Sequence, residues 1–178
     1  MRVIKIPEHR VGAIIGENGK TKRLIEDKCK VILNIKSDGD VEVLGEEDAV
    51  FFAEPIIIAI ARGFSVKDAI KLTNHDYLFF LFDLREYTNT KNGVVRFKSR
   101  IIGREGRVKT NIESATDSII NVHGHTVGII SKYDSIDYAK KAITMILNGV
   151  KHTTIETYLS KARKEIFDNR IAHKSGLQ

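Results

Sequence analysis

The sequence predicts an α+β protein: two copies of one βααββα unit, joined by a helical connector and followed by an extra C-terminal helix. Three observations carry that prediction. The chain repeats itself: Ile14-Ile15-Gly16-Glu17-Asn18-Gly19 returns as Ile101-Ile102-Gly103-Arg104-Glu105-Gly106, a constant offset of 87 residues (Gly16 to Gly103, Gly19 to Gly106). At the same offset Lys22, Ile25, Glu26, Ile32 and Asn34 meet identical residues at Lys109, Ile112, Glu113, Ile119 and Asn121. Around each glycine turn, short alternating β-branched runs give way to helical spacing. The chain's 178 residues, 42% of them hydrophobic, are enough for two small cores.

The first unit is expected over residues 1–63. Arg2 to Ile6 alternates as a strand and ends at Pro7. His9 to Ile15 reads as a short helix stopped at Gly16, and Lys20 to Lys28 as a second helix with Leu24 and Ile25 facing inward. Lys30 to Lys36 and Asp40 to Leu44 are strands around an Asp38-Gly39 hairpin turn. Glu46 to Arg62 is a long apolar helix closing at Gly63, with a kink expected at Pro55. Two glycines three apart allow a tight turn with no Cβ between the backbone and a partner. With Ile6-Pro7, Val11-Gly12, Ile14 to Gly19 and Leu24-Ile25, the unit resembles a KH domain of type I order. That family clamps about four nucleotides across a GXXG loop. The middle positions, often basic in the family, are Glu17 and Asn18 here; Lys20, Lys22 and Arg23 follow.

Residues 64–93 are expected as a connector packed between the units. Ser65-Val66-Lys67-Asp68 is a capping-box start for a short helix through Leu72. Tyr77 to Leu84, with Phe79, Phe80 and Phe82, reads as core and not as a base-stacking platform, since no basic residue interleaves before Arg85. Thr88 to Gly93 is a polar turn.

The second unit is expected over residues 94–149. It begins with a strand at Val94–Phe97 and a truncated helix from Lys98 to Ile102. The leading Ile-Pro and Val-Gly pieces of the first unit have no counterpart, so the entry to the groove must differ. Arg107 to Ala115 is a helix, Ser118 to Val122 and Thr126 to Ile130 are strands around His123-Gly124-His125, and Asp134 to Leu147 is amphipathic. Residues 150–178 form the extra helix, with a capping box at Thr153 to Glu156. Ile155, Leu159, Ala162 and Ile166 make its apolar stripe; Lys161, Arg163, Lys164 and Arg170 make much of the rest basic, a face that is either simply solvated, the reading preferred here, or an accessory RNA contact.

A net charge of +6 favours an anionic partner. The longest apolar runs, Ile56 to Ala61 and Tyr77 to Phe82, fall far short of the ~20 residues a membrane helix needs. The N-terminus reads as a strand start and not a signal peptide, so a soluble, cytoplasmic protein is expected. Enzyme signatures are missing. No G-x-x-x-x-G-K-[ST] phosphate loop occurs. His123 and His125 lack further ligands for a metal, and Cys29 lacks a spaced His partner. No catalytic residue, metal or cofactor is therefore expected, and Cys29 reads as buried packing.

Basic residues gather at the second turn: Arg96, Lys98, Arg100, Arg104, Arg107 and Lys109. Lys and Arg there neutralise phosphates and release counterions. The candidate RNA-binding set is Gly16, Glu17, Asn18, Gly19, Lys20, Lys22 and Arg23 in the first unit. In the second it is Lys98, Arg100, Ile102, Gly103, Arg104, Glu105, Gly106, Arg107, Lys109 and Asn121. Ile32, Asn34, Ile119 and Asn121 lie on the strand at the other groove wall, where an Ile is expected to point inward.

Over nearly its full length the chain resembles the archaeal two-KH relatives of the partner-of-Nob ribosome-assembly factor. Besides the paired units, the carrying residues are Ala61-Arg62-Gly63-Phe64-Ser65, Ala69-Ile70-Lys71-Leu72, Leu84-Arg85-Glu86-Tyr87 and Lys161-Ala162-Arg163. The resemblance implies binding of single-stranded RNA near the 3′ end of small-subunit (16S) ribosomal RNA during pre-rRNA processing. It also implies contact with the PIN-domain endonuclease that cleaves there; neither membrane nor DNA is expected as a partner. An exosome-type or mRNA-regulatory KH adaptor, and an enzyme or nuclease subunit, stay open as alternatives.

Overall fold

The computed structural model describes residues 1–174; the last four residues of the expected C-terminal segment lie outside them. The chain divides into two compact units, residues 1–79 and residue 80 onward.

The first unit contains β1 (Arg2–Lys5), α1 (Val11–Ile15), α2 (Lys20–Cys29), β2 (Ile32–Ile35), β3 (Asp40–Leu44), α3 (Glu47–Ala61) and the short α4 (Val66–Ala69). β3 is central in an antiparallel sheet of order β1-β3-β2, with Val3 opposite Glu42 and Asn34 opposite Glu42 on the other side. The expected βααββα order is present. Ile4, Leu33, Val41 and Val43 meet Ile14, Ile25, Ile56, Ile57 and Ile60 in the core. α3 runs unbroken through Pro55. Leu24, expected inward, is exposed on α2, while Ile25 is fully buried. Cys29 is buried, and desolvation raises its thiol pKa. The Ser65 cap forms as expected: its Oγ accepts from the Asp68 N–H at 3.1 Å and donates to Asp68 Oδ2 at 2.7 Å.

The second unit follows the same plan with a different opening. Its first strand is β4 (Tyr77–Asp83), whose first three residues are counted with the first unit. Then come α5 (Lys91–Ile102), α6 (Arg107–Thr116), β5 (Ser118–His123), β6 (Thr126–Lys132), α7 (Ile136–Leu147) and α8 (His152–Lys174). The sheet order is β4-β6-β5. Val94–Phe97 is therefore not a strand. It sits inside α5, which is a full 12-residue helix and not a truncated one. Thr90 decides this: its Oγ1 accepts from the Gly93 N–H at 3.0 Å and starts the helix at Lys91. Tertiary packing overrides the β-propensity of Val94-Val95, because Val94, Phe97 and Ile101 turn onto the core with Ile112, Ile120, Ile129 and Ile143.

Helix α8 starts at His152, so Thr153 is inside the helix and does not cap it. Its apolar stripe is buried as expected, but its basic face is not simply solvated. Arg163 donates to Ser114 Oγ at 2.6 Å. Arg170 forks onto Asp134 (2.7 and 3.0 Å) and also reaches Asp117 at 2.9 Å. That fork lowers the pKa of Asp134 and raises that of Arg170.

A pair of repeated contacts, one in each unit, ties helix to sheet. Glu26 Oε1 accepts from the Leu33 N–H at 2.8 Å, and Glu113 Oε1 accepts from the Ile120 N–H at 2.7 Å. Each glutamate thus satisfies a donor on an edge strand, the side that the sheet leaves unpaired. Glu113→Ala should lower stability by about 1–3 kcal/mol, since it strands that donor. Glu113→Gln keeps an acceptor and should cost less. Urea unfolding of the three proteins checks the ordering; an Ala variant as stable as wild type would show that water replaces the carboxylate.

Candidate nucleic-acid interface

Each glycine turn joins two helices that meet at its ends. α1 ends at Ile15 and α2 begins at Lys20; α5 ends at Ile102 and α6 begins at Arg107. The chain between them reverses through positive φ. Gly16 sits at φ 70, ψ 175 and Gly103 at φ 73, ψ 177, a region open in practice only to glycine. Asn18 (φ 52, ψ 30) and Glu105 (φ 54, ψ 26) are left-handed, as are Gly19 (φ 74, ψ 14) and Gly106 (φ 76, ψ 8). The two loops match within a few degrees although their middle residues differ in charge.

The first glycine of each turn is fixed twice over. A Cβ on Gly16 would lie 2.2 Å from Thr21 Oγ1, and one on Gly103 would lie 2.4 Å from Val108 Cγ2. The second glycine is fixed by conformation alone in the second unit, where a Cβ on Gly106 meets open space. The outward-facing edge of the turn is thus bare backbone.

The side chains around the turns separate the two units. In the first, Lys20 pairs with Glu17 at 3.7 Å, Lys22 with Glu26 at 3.8 Å, and Arg23 donates to the Asn18 carbonyl. In the second, Arg107 pairs with Glu105 at 3.2 Å and Lys109 with Glu113 at 3.0 Å. Arg100 is half-buried and donates to the Val150 carbonyl at 3.2 Å, a contact that braces α5. Arg96, Lys98 and Arg104 have no ion-pair partner among the described residues; Arg96 and Arg104 are exposed, and Arg96 lies 5.5 Å from the Phe97 ring centre. Ile102 is half-buried at the end of α5.

The opposite wall is the edge strand of each sheet. Leu33 and Ile120 are the inward residues there. Ile32 is 61% exposed, and Asn34 is exposed too, so the expected inward Ile is corrected in the first unit. Ile119 and Asn121 are half-buried on the same outward register. Alternation decides this: when one residue of a strand faces the core, its neighbours cannot.

Sequence reasoning did not pick out Lys91. It shares a helical stripe with Val94, Val95 and Lys98, at i, i+3, i+4 and i+7, a signal hidden by reading 94–97 as a strand. Nearby, Arg85 forks onto Asp83 (Nε to Oδ1 3.0 Å, Nη2 to Oδ2 2.6 Å), and His125 Nε2 lies 3.8 Å from the same carboxylate. The Arg85 hydrogen bonds hold the Asp83 pKa down to about 2. Among the described residues, no group of three or more His, Cys, Asp or Glu is placed to hold a metal ion, and no helix is long and apolar enough to cross a membrane.

Comparison with known proteins agrees with this geometry. Residues 78–164 match the family model described as the eukaryotic type KH-domain (KH-domain type I), in its PNO1 second-domain form, and residues 1–59 match the KH domain. A KH domain-containing protein of Methanocaldococcus jannaschii is 36% identical over 171 residues, 93% of this chain and 75% of that protein. The Dim2p chain in a crystal structure of an a/eIF2alpha–aDim2p–rRNA complex from Pyrococcus horikoshii is 33% identical, with a TM-score of 0.84 over 92% of this chain and 94% of that one. The chain belongs to the PNO1/Dim2 family of KH proteins. The pre-rRNA-processing protein PNO1 of Chaetomium thermophilum is 31% identical over 160 residues; the match takes in 84% of this chain but only 61% of the fungal protein's length. Both βααββα units are thus KH domains of type I, and the glycine turns are their GXXG loops.

Two measurements check the site. Gly103→Ala should lower the melting temperature far more than Gly106→Ala, because it adds a clash with Val108 to the backbone strain of about 1–3 kcal/mol. Equal shifts would mean that Val108 swings away at no cost. For Asp83, stability held by the lowered pKa is complete above the unfolded value of about 3.9 and is lost as pH falls towards about 2. The stability difference between wild type and Asp83→Asn should therefore shrink as pH falls below about 4. A difference unchanged down to about pH 2 would mean that Asp83 keeps the same pKa in both states.

Proposed function

We propose that this protein binds single-stranded RNA through its two GXXG loops, near the 3′ end of small-subunit ribosomal RNA during pre-rRNA processing in the cytoplasm. The observation that carries the reading is the pair of loops with one backbone, each offering bare glycine edges beside an outward strand. A splayed single strand fits such a groove, whereas an A-form helix does not present its bases to it. The relatives support the process: one is a pre-rRNA-processing protein, and another was crystallised with rRNA. Contact with the PIN-domain endonuclease of the same maturation step is part of the proposal, and no catalytic role is assigned. The candidate residues named from the sequence in the two units are together proposed as the contact surface, with unequal shares. Arg100, Lys109 and Lys22 act chiefly by holding the groove in shape.

The second KH domain carries more of the affinity. Its loop presents unpaired Arg104 where the first presents Glu17, already paired with Lys20. Replacing Arg104 and Glu105 by Asp should cost on the order of 2 kcal/mol, from lost charge-assisted hydrogen bonds and new repulsion. Replacing Glu17 and Asn18 by Asp should cost less. Binding titrations at several salt concentrations, on variants with wild-type melts, check this, and the salt slope should flatten more in the second-loop variant. Equal losses would make the first domain an equal binder. Tighter binding of a matched duplex than of the single strand would sink the RNA reading itself.

A further inference from the structure

The second KH domain has a cleft of about 610 Å³ that the loop does not line. Its walls are the segment Thr88 to Lys91, the first two turns of α5, and Gly124-His125 of the β5–β6 hairpin. Along α5 the wall is the stripe Lys91, Val94, Val95, Lys98: a cation at each end and an apolar middle. Val95 is 60% exposed, and Val94 is half-buried against the core beneath it.

The cleft is built into the fold. Thr88 Oγ1 accepts from the Thr90 N–H at 3.4 Å, and Thr90 caps the helix. Gly93 is buried in the helix where a Cβ would lie 2.0 Å from Thr88 Oγ1. Only a glycine lets this segment lie so close on α5, so the rim and the helix are held together before any ligand arrives. The charge is one-sided. Asp83 and Arg85 cancel each other, and Lys91 and Lys98 are left without ion-pair partners among the described residues. An apolar floor between two unpaired lysines suits a base flanked by phosphates better than it suits an acidic or a purely apolar partner.

We propose that this cleft is an RNA subsite separate from the GXXG loop, taking one further nucleotide with its base on Val94 and Val95 and its backbone on Lys91 and Lys98. The proposal rests on the single-stranded RNA reading above. The stripe continues along α5 through Ile102 to Gly103, and from Lys91 to Ile102 is about 16 Å at the helical rise. One strand can thus cross the loop and enter the cleft. The first domain has no such element, since its α1 is only five residues long and begins at Val11. The second domain therefore reads a longer stretch of RNA.

The test compares the full chain's affinity for an oligouridine of about four nucleotides, the length one loop clamps, with that for one of about eight. Wild type should gain on lengthening. The double variant Lys91→Gln/Val95→Asn should keep the short-RNA affinity and lose at least about fivefold of that gain. Lys164→Gln, on exposed α8, should keep both. A 4-thiouridine at the end of the longer RNA should crosslink to the peptide containing residues 88–98. A long-RNA affinity unchanged in the double variant assigns the cleft to something other than RNA and overturns the proposal. Equal loss on both lengths, or an equal loss in Lys164→Gln, reduces it to general charge and also overturns it. Absence of any RNA binding by wild type would instead bring down the broader reading, and this one with it. Both substituted residues are exposed, and Val95→Ala, with a wild-type melt, serves if the double variant unfolds.

Discussion

A left-handed reversal between two helices is the constraint on which each half of this protein depends. Gly16 and Gly103 hold a φ and ψ that a side chain opposes, and the next helix then packs Thr21 or Val108 where a Cβ would have been. That close approach aims α2 and α6 back across their sheets. Ile25 and Ile112, one turn further on, reach the centres of their cores because of it. The same reversal leaves backbone on the outside of the turn. One local geometry thus packs the helices inside and leaves outside the edge proposed to bind RNA.

The identical residues beyond the glycines divide into two kinds. Glu26 and Glu113 reach to an edge-strand N–H, and Lys22 and Lys109 pair with them at the next helical turn. These residues repeat because both units need the same brace between helix and sheet. Lys30 and Asp117, at φ 58 and 49, repeat a left-handed helix ending in the same way without sharing chemistry. The middle of the loop is under no such demand. Its residues point to solvent, and there the two halves diverge from Glu17-Asn18 to Arg104-Glu105.

Charge on the surface is less available than composition suggests. Of the basic residues around the second turn, Arg100 is spent on a carbonyl, Lys109 on Glu113 and Arg107 on Glu105. Arg170, read as part of a basic helix face, clamps α8 to Asp134 and Asp117. On α5 and the loop that follows it, Lys91, Arg96, Lys98 and Arg104 have no ion-pair partner among the described residues, and Arg96 lies over the Phe97 ring. Lys91 and Lys98 share one stripe of α5, and the proposed RNA path follows that stripe to Arg104.

The sequence by itself determined the duplication, the βααββα plan and the two turns, because those are written in local terms: glycine spacing, apolar periodicity and an 87-residue register. It also placed the apolar stripe of α8 and the burial of Cys29, where hydrophobicity and position agree. Only the tertiary structure decided where the second unit opens. Val94-Val95 has the local preference of a strand, but a cap at Thr90 and the core beneath Val94 make it a helix, and the aromatic run from Tyr77 takes the strand's place. It also decided which lysines and arginines are free. A charge is read from one residue, whereas its partner comes from another element, as Val150 does for Arg100 and Asp134 for Arg170. Pairings of that kind depend on distance in space, and the order of residues along the chain does not record it.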